Sequence, residues 1–371
     1  MGAVRKVRQT KPVAKLKPRA RDLGIPFEGT PGRFNAITDV AGVAVGHTTL
    51  IRGEGKLIVS LGPVRTGVTA ILPRGLRDGS PVFAGWFSQN GNGEMTGTTW
   101  IKESGYLSTP IMITNTHSVG VVRDAVIEWQ LREGTMTAPW SLPVVAETYD
   151  GFLNDINGFH VTKDDAWTAL KSARSGRIAE GNVGGGTGMI GYGWKGGIGT
   201  ASRRTSRTDG GHTLGVLVQL NCGRAHELIM AGVPIGRELT PGSYAPSPES
   251  GSIIIVAGTD APLLPHQLER VARRLTMGLA RTGSVSGNGS GDIFLAFSTA
   301  NPQGKQKSAI ESVRMLRNSA MDPIFTAAVQ ATEEAIVNAM VAAETMTGID
   351  HRTVHALPHG QVREIIRTYG R

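Results

Sequence analysis

The chain has 371 residues, 40% of them hydrophobic and 19% charged, so it is long enough for a sizeable core and too apolar for a disordered chain. Its 50 glycines are about twice the usual share but follow no triplet period, which excludes collagen and indicates many tight turns. The net charge is +9, yet residues 1–21 carry eight basic residues and no acid, which argues against a nucleic-acid-binding body.

The basic residues at the start predict a tail that is separate from the rest of the chain. Without those eight, 31 of the 39 basic residues remain against 30 acidic ones, so the rest is nearly neutral. We therefore expect residues 1–25 to be a disordered tail and residues 26–371 to form a single domain. The single Cys222 excludes an internal disulfide, and we find neither a secretory signal nor an apolar run of ~20 residues. We expect a cytoplasmic protein with no membrane or nucleic-acid partner.

In chain order, the first half of the sequence predicts strands separated by helices. Ser118 is a suitable N-cap for one helix, and Gly134 is a suitable stop for it. Thr162 and Asp165 form the capping box of a second helix, which extends to about residue 173. Apolar runs bounded by glycine or proline predict strands at residues 40–47, 67–73, 110–116 and 142–151.

The second half mixes strands and helices in the same way. The predicted elements are a strand at 212–221, a short helix at 224–232, an irregular loop at 237–251, a strand from Ser252, a helix at 266–280, a strand at 291–301 and a helix from Asp322 to Thr347. The order is not a strict β-α-β alternation, and no repeat of about 20–50 residues is visible. The pattern favours one large α/β sandwich with helices layered on sheets.

Two familiar motifs are better explained as ordinary structure. Residues 186–191 match the G-x-G-x-x-G pattern of dinucleotide sites, but the glycines that follow would not start a helix, so we expect a structural turn. His351, His355 and His359 are spaced by four, as zinc ligands on a helix can be. Pro358 breaks the last turn and no cysteine is close in sequence, so we expect no metal site.

The junction between Gly251 and Ser252 is chemically suggestive. A loop rich in proline and serine ends there, and Ser252 opens the apolar strand 253–256. If the peptide bond before Ser252 broke, the new α-amine, with a reference pKa of ~7.7–8.0, could serve as general base for the Ser252 hydroxyl. Glycine before the serine imposes no side-chain clash and tolerates a strained backbone. The alternative is an ordinary loop end, because Gly-Ser before a strand is common.

Polar side chains also lie at the start or toward the end of other predicted strands. They are Asn221, Glu147 with Tyr149, and Ser290 with Asp292. An amide and the backbone N–H groups of a glycine loop can stabilise an oxyanion, and a carboxylate can hold a substrate ammonium. Together with a nucleophile on a fourth strand they form a plausible site. The alternative is that they are turn residues with a capping role.

Eight blocks of sequence lie in order between about residues 36 and 360. They are ITDVAGVAVGHTTL, TNTHSVGVVRDA, PVVAETYDGFLNDI, GNVGGGTGM, GVLVQLNCGR, GSIIIVAGTDAPL, SGNGSGDIFLAFSTAN and AETMTGIDHRTVHALPH. Together they resemble the family of self-processing hydrolases that contains the L-aminopeptidase/D-esterase-amidases (DmpA-like) and the β-peptidyl aminopeptidases. All but the basic tail is covered, so the resemblance is specific.

The resemblance implies a fold and a set of roles. The fold is a four-layer α/β/β/α sandwich, similar to N-terminal-nucleophile hydrolases but differently connected. The precursor cuts itself between Gly251 and Ser252, which leaves segments 26–251 and 252–371 and makes Ser252 the nucleophile. The implied roles are oxyanion stabilisation by Asn221 and the N–H near Gly291, a relay of Ser290 and Asp292, and binding of the substrate's amino group by Glu147, with Tyr149 nearby.

The sequence therefore indicates a self-processing serine aminopeptidase that releases N-terminal residues from peptides, amides or esters through an acyl-enzyme on Ser252. The family needs no metal or organic cofactor and is usually oligomeric, so we expect a homo-oligomer such as a tetramer of cleaved heterodimers. Two alternatives remain open. One is an acyltransferase that passes the acyl group to an amine, and the other is a non-catalytic binding protein that is never cleaved.

Overall fold

Two β-sheets form the centre of the fold in the computed structural model, which describes residues 17–242, 251–301 and 310–371. The strands are β1 (Ala44–Arg52), β2 (Val64–Leu72), β3 (Val82–Gly91), β4 (Tyr106–Leu107), β5 (Ile111–Asn115), β6 (Val144–Thr148), β7 (Ile190–Gly191), β8 (Trp194–Lys195), β9 (Gly197–Arg204), β10 (Thr213–Asn221), β11 (Ser252–Thr259), β12 (Gly291–Ser298), β13 (Met346–Thr347) and β14 (Thr353–Val354). The larger sheet has the order β4-β3-β12-β11-β10-β9, and the smaller sheet has the order β1-β2-β5-β6. The hairpins β7–β8 and β13–β14 lie outside both sheets.

Helices cover the outer face of each sheet. The helices of the described residues are α1 (Thr98–Ser104), α2 (Val119–Glu133), α3 (Lys163–Lys171), α4 (Ile235–Glu238), α5 (Pro265–Arg281), α6 (Asp322–Val341) and α7 (His359–Thr368), of which α2, α3, α5 and α6 lie on these outer faces. Helices α5 and α6 pack on the larger sheet, where Leu275 and Ala335 share a core with Ile255. Helices α2 and α3 pack on the smaller sheet, where Val126 shares a core with Met112.

Strand β11 shows how the four layers are joined. Ile253 and Ile255 face the helices α5 and α6, whereas Ile254 and Val256 face the smaller sheet. Both faces of the strand are apolar because it lies between two layers, which explains its continuous hydrophobic sequence. The α/β/β/α sandwich that the resemblance implies is confirmed.

One edge of the sandwich collects several strand ends. Strand β11 runs parallel to β12 and antiparallel to β10, and β12 runs antiparallel to β3. Ser252 and Gly291, the first residues of β11 and β12, therefore lie beside Asn221 and Gly91, the last residues of β10 and β3. The smaller sheet reaches the same edge, because the Asn221 amide donates to the carbonyl of Tyr149 just after β6 (2.9 Å).

The glycine-rich segment 184–191 is packed between the two sheets and opens no α-helix. A Cβ at Gly185 would lie 2.2 Å from Gln219 Oε1, and one at Gly186 would lie 2.5 Å from the Ile198 nitrogen. Backbone therefore approaches its neighbours too closely for any side chain. This supports the interpretation of the motif as a structural turn.

Several predicted helices occur as expected, but two end elsewhere. Helix α2 stops at Gly134, and the Thr162 capping box opens α3. The predicted helix at 224–232 is only one 3₁₀ turn, because the Ile229 N–H donates to the Thr282 carbonyl (3.0 Å) instead of continuing a helix. Helix α6 starts at Asp322 but ends at Val341, and Met346–Thr347 pairs with β14.

The predicted tail at residues 1–25 is wrong for residues 17–25, while residues 1–16 lie outside the described part of the chain. Arg19 Nε lies 2.8 Å from Glu180 Oε2, and Arg21 Nε lies 2.8 Å from Glu334 Oε1. Leu23 is buried in the core of the larger sheet and α6. Two of the eight basic residues thus neutralise buried carboxylates of the body.

Candidate active site

The candidate nucleophile, Ser252, is almost completely buried at the start of β11. It lies opposite Asn221 on one neighbouring strand and Gly291 on the other. The Gly291 N–H donates to the Ser252 hydroxyl oxygen at 3.1 Å. A backbone N–H group that could stabilise an oxyanion is therefore already beside the attacking atom.

The preceding residue, Gly251, is held tightly against β10. A Cβ at this position would lie 1.9 Å from the carbonyl oxygen of Asn221 and 3.1 Å from the Cα of Cys222. Both neighbours are backbone atoms, one in the last residue of β10 and one in the residue after it, so neither can turn aside as a flexible side chain could. Glycine is therefore required here by a close approach, a reason that the sequence alone does not reveal.

The side-chain amide of Asn221 has a defined orientation. The Ile190 N–H donates to Oδ1 at 2.8 Å, and Nδ2 donates to the Tyr149 carbonyl at 2.9 Å. A backbone N–H can only donate and a carbonyl can only accept, so the oxygen and nitrogen cannot be exchanged. An amide nitrogen carries two hydrogens, and the Tyr149 carbonyl takes one of them.

Ser290 and Asp292 form a buried pair beside the nucleophile. The Ser290 hydroxyl donates to Asp292 Oδ1 at 2.6 Å, and the same oxygen accepts the Ile253 N–H at 3.2 Å. Burial raises the pKa of the Asp292 carboxyl, and hydrogen bonds from Ser290, Ser286 and the Ile253 N–H oppose that rise. The carboxylate is thereby connected to the residue that directly follows Ser252.

The carboxyl group of Glu147 is buried at the end of β6, with its oxygens held from two sides. The Thr116 hydroxyl donates to Oε2, and the Glu94 N–H donates to Oε1 at 3.0 Å. Burial raises the pKa of Glu147, and these two hydrogen bonds oppose the rise. A cation placed beside this carboxylate would gain a charge-assisted contact with little competition from water.

Gly93 connects this carboxylate to the nucleophile. A Cβ at Gly93 would lie 3.1 Å from the Gly291 Cα and 3.3 Å from Glu147 Oε1. The Glu147 carboxylate and the Gly291 backbone, whose N–H donates to the Ser252 hydroxyl, therefore lie on either side of one glycine. Gly93 and Thr116 are exposed, so this side of the site opens to solvent.

Tyr149 contributes to the site through its backbone as well as its ring. Its carbonyl accepts the Asn221 amide, while its side chain is 47% exposed. The ring lies over Gly151, where a Cβ would be 2.4 Å from the hydroxyl oxygen. All the sequence-predicted site residues are thus brought to one edge of the sandwich.

Sequence reasoning missed four contributors to the site. They are Gly93, the Glu94 N–H, the Thr116 hydroxyl and the Ile190 N–H. Thr116 carried a usable signal, because it lies at the end of a predicted buried strand, as Glu147 and Asn221 also do. The other three act through the backbone, and no side-chain pattern identifies them.

Residues 17–242, 251–301 and 310–371 contain neither a metal-binding cluster nor a membrane-spanning helix. No cluster of three or more histidine, cysteine or acidic residues there is arranged to hold a metal ion. Of the three histidines spaced by four, His359 begins α7 and hydrogen-bonds the Val341 carbonyl (3.0 Å). No helix in these ranges is both long and apolar enough to cross a bilayer.

Comparison with known proteins gives consistent matches along the chain. The model of peptidase family S58 matches residues 35–354. The chain is 54% identical to the β-peptidyl aminopeptidase BapA of Sphingosinicella microcystinivorans, over 95% of this chain and 93% of that protein. The structure of L-aminopeptidase D-Ala-esterase/amidase from Ochrobactrum anthropi, described as a variant of the Ntn hydrolase fold, superposes with a TM-score of 0.89 at 49% identity and covers 96% of this chain and 99% of that one. A Burkholderia β-aminopeptidase structure superposes with a TM-score of 0.87 at 48% identity, covering 95% and 99%.

Proposed function

Because this chain belongs to peptidase family S58 and is an aminopeptidase that acts on peptides, we propose that it activates itself by cutting the bond before Ser252 and then uses Ser252 as its nucleophile. The observation that carries the proposal is the placement of the Ser252 hydroxyl. The hydroxyl oxygen accepts a hydrogen bond from the Gly291 N–H. The residue itself lies opposite Asn221 and follows Gly251, whose backbone is in close contact with that of β10.

The first reaction is an intramolecular acyl transfer. The Ser252 hydroxyl oxygen attacks the Gly251 carbonyl carbon, the bond from that carbon to the Ser252 nitrogen breaks, and the hydroxyl proton passes to the departing nitrogen. Water then hydrolyses the resulting ester. The products are residues 1–251 and 252–371, which stay associated because β11 pairs with β10 on one side and β12 on the other.

Turnover repeats the same chemistry on a substrate. Ser252 attacks the carbonyl carbon of the substrate's first residue, and its own α-amine or the Ser290–Asp292 pair accepts the hydroxyl proton. The bond from that carbon to the leaving nitrogen or oxygen breaks, and the same group returns the proton to the leaving atom. Asn221 Nδ2 and the Gly291 N–H stabilise the oxyanion. Water then releases the acyl group. Glu147 binds the substrate's ammonium, which selects the end of a chain over its interior.

Replacing Glu147 with glutamine is expected to lower kcat/KM on a free-amine substrate by roughly 10- to 150-fold, the equivalent of ~1.5–3 kcal/mol for a charge-assisted contact. The wild type should hydrolyse an N-acetylated substrate poorly, because that substrate offers no cation to the buried carboxylate. The variant should discriminate much less between the two substrates. Steady-state rates on both substrates measure the effect.

Two controls accompany this variant. Glu94→Gln removes an exposed acid whose charge acts on Glu147 but keeps the N–H that donates to Glu147, so its kcat/KM should fall far less than that of Glu147→Gln. Self-cleavage of Glu147→Gln should also proceed, because the precursor presents no free amine to this residue. Equal wild-type rates on free-amine and acetylated substrates would show that Glu147 does not bind the ammonium.

Intact mass and a substrate panel test the proposal as a whole. Purified protein should contain two polypeptides, and the smaller should begin at Ser252. An intact, inactive chain of 39.2 kDa would instead support a binding protein. L-, D- and β-aminoacyl amides, with and without an added amine acceptor, would define the substrate class and separate hydrolysis from acyl transfer. Sedimentation of the same sample would test the homo-oligomer that the resemblance implies.

A further inference from the structure

Lys195 is a fully buried lysine that the reaction described above does not use. It belongs to β8, and its ammonium donates to the carbonyl oxygens of Met189 (2.6 Å) and Gly196 (3.0 Å). Both of these partners are neutral carbonyls. Burying an ammonium without a paired carboxylate is costly, and an apolar side chain of similar length would avoid that cost.

The Met189 carbonyl belongs to the same peptide group as the Ile190 N–H. That N–H donates to Asn221 Oδ1 at 2.8 Å. Hydrogen bonds therefore run without interruption from Lys195 Nζ, through one backbone peptide group, to the side-chain amide of Asn221. The far end of the amide is Nδ2, which carries the N–H groups.

Such a chain of hydrogen bonds affects both geometry and donor strength. Donation from the Ile190 N–H permits only one orientation of the Asn221 amide, with the oxygen toward Ile190 and the nitrogen toward the Tyr149 carbonyl. Donation from Lys195 polarises the Met189–Ile190 peptide group, which strengthens the Ile190 N–H as a donor. That bond in turn polarises the Asn221 amide and strengthens its own N–H groups.

The hairpin itself does not depend on the lysine side chain. Backbone hydrogen bonds pair β7 with β8, and the Lys195 N–H donates to the His355 carbonyl (2.8 Å). Backbone hydrogen bonds therefore hold this hairpin together without the lysine side chain. Burial lowers the pKa of Lys195 to about 7, and the amine donates to Met189 in either protonation state.

We propose that Lys195 is a positioning residue for catalysis, which orients and polarises the Asn221 amide toward the oxyanion through the Met189–Ile190 peptide group. The inference rests on the proposed role of Asn221 as an oxyanion donor. Lys195 contacts neither substrate nor nucleophile, so its effect should pass entirely through Asn221.

A double-mutant cycle tests this inference on the full-length, self-cleaved enzyme. The variants are Lys195→Met, Asn221→Ala and the double variant, with kcat normalised to the cleaved fraction determined by intact mass. Asn221→Ala should lower kcat by about 10²–10³-fold. Lys195→Met should lower kcat by about 10-fold with KM nearly unchanged, because the donor acts mainly in the transition state. In the Asn221→Ala background, Lys195→Met should have no further effect.

A matched control comes from the same hairpin. Trp194 is buried beside Lys195 but takes no part in the hydrogen-bond chain, so Trp194→Phe should disturb packing and leave kcat near wild type. If Lys195→Met does not fold, Lys195→Gln takes its place in the cycle, since it keeps a neutral donor of shorter reach. Its kcat should fall below that of the wild type, and the same substitution should have no further effect in the Asn221→Ala background.

The outcomes distinguish the role of Asn221 from the role of Lys195. Wild-type kcat in Asn221→Ala would overturn the oxyanion role of Asn221, and with it the basis for Lys195. A large loss in Asn221→Ala together with an equal loss from the lysine substitution in both backgrounds would overturn the role of Lys195 alone. Unchanged kcat in the lysine variant would also overturn it.

Discussion

Replacing Ser252 with alanine is expected to leave one uncut chain of 39.2 kDa with no measurable aminopeptidase activity. The variant lacks the oxygen that attacks the Gly251 carbonyl, and it also lacks the nucleophile for substrate. Removal of one nucleophile from a cooperating site costs several orders of magnitude in rate. Intact mass, N-terminal sequencing and hydrolysis of a small aminoacyl amide measure both effects.

A buried serine outside the site provides the matched control for this experiment. Ser298 ends β12, at the opposite end of the strand from Gly291. Ser298→Ala should still cut itself between Gly251 and Ser252 and remain active, although loss of its hydrogen bond to the Ala261 carbonyl should lower stability. A cut Ser252→Ala chain, or a wild-type fragment that begins at another residue, would contradict the assignment.

Local sequence was sufficient to place Ser252 at the start of a buried strand. A run of apolar, β-branched residues after a glycine predicts such a strand wherever both of its faces are covered. Sequence did not predict which strands lie beside it, because Asn221 and Ser252 are 31 positions apart and no local pattern connects them. That neighbourhood came from the resemblance, and the strand order is consistent with it.

Sequence also did not predict that the loop after β3 contributes to the site, for a similar reason. Its contribution consists of a glycine without a side chain, Gly93, and the backbone N–H of Glu94. Both act on Glu147, which is more than 50 residues away in sequence, so no local pattern connects them. Close approaches between backbone segments become visible only when the two sheets are in place.

The basic residues at the start were misread because charge patterning assumes that charges are solvated. Arg19 and Arg21 have the same local sequence context as the basic residues before them. Their partners, Glu180 and Glu334, lie far away in sequence and are buried in the body. A long-range pair of this kind has no local signature, although burial of the acids makes the pairing necessary.

Deleting residues 1–21 is expected to destabilise the fold strongly, whereas deleting residues 1–16 should not. The longer deletion removes Arg19, whose guanidinium contacts Glu180 and donates to the Phe34 and Asn35 carbonyls (3.2 and 2.9 Å). Removing one partner of a buried ion pair typically costs ~3–5 kcal/mol, a large part of the ~5–15 kcal/mol of a native protein. The shorter deletion removes five of the eight basic residues but keeps Lys17, Arg19 and Arg21, and it should keep activity near wild type.

Urea unfolding in the uncut Ser252→Ala background would measure these differences on a single polypeptide. Arg19→Met tests the ion pair without shortening the chain and should lose ~3–5 kcal/mol. The loss at Arg21 should be smaller, because Glu334 keeps a second partner in Arg203 (2.7 Å). Equal stability of the two deletion variants would show that residues 17–21 do not support the fold.

The pH dependence of Arg19→Met distinguishes a lost ion pair from lost packing. Burial raises the pKa of Glu180, and Arg19 opposes that rise, so removing Arg19 should raise the pKa further. The folded variant would then hold the Glu180 proton more tightly than the unfolded chain, and its stability would increase as the pH falls through the raised pKa. The stability deficit of Arg19→Met relative to wild type should therefore narrow as the pH falls from neutrality towards the usual pKa of a glutamate carboxyl, about 4.3. A deficit that is constant over this range would indicate that Arg19 acts through packing and its carbonyl contacts alone.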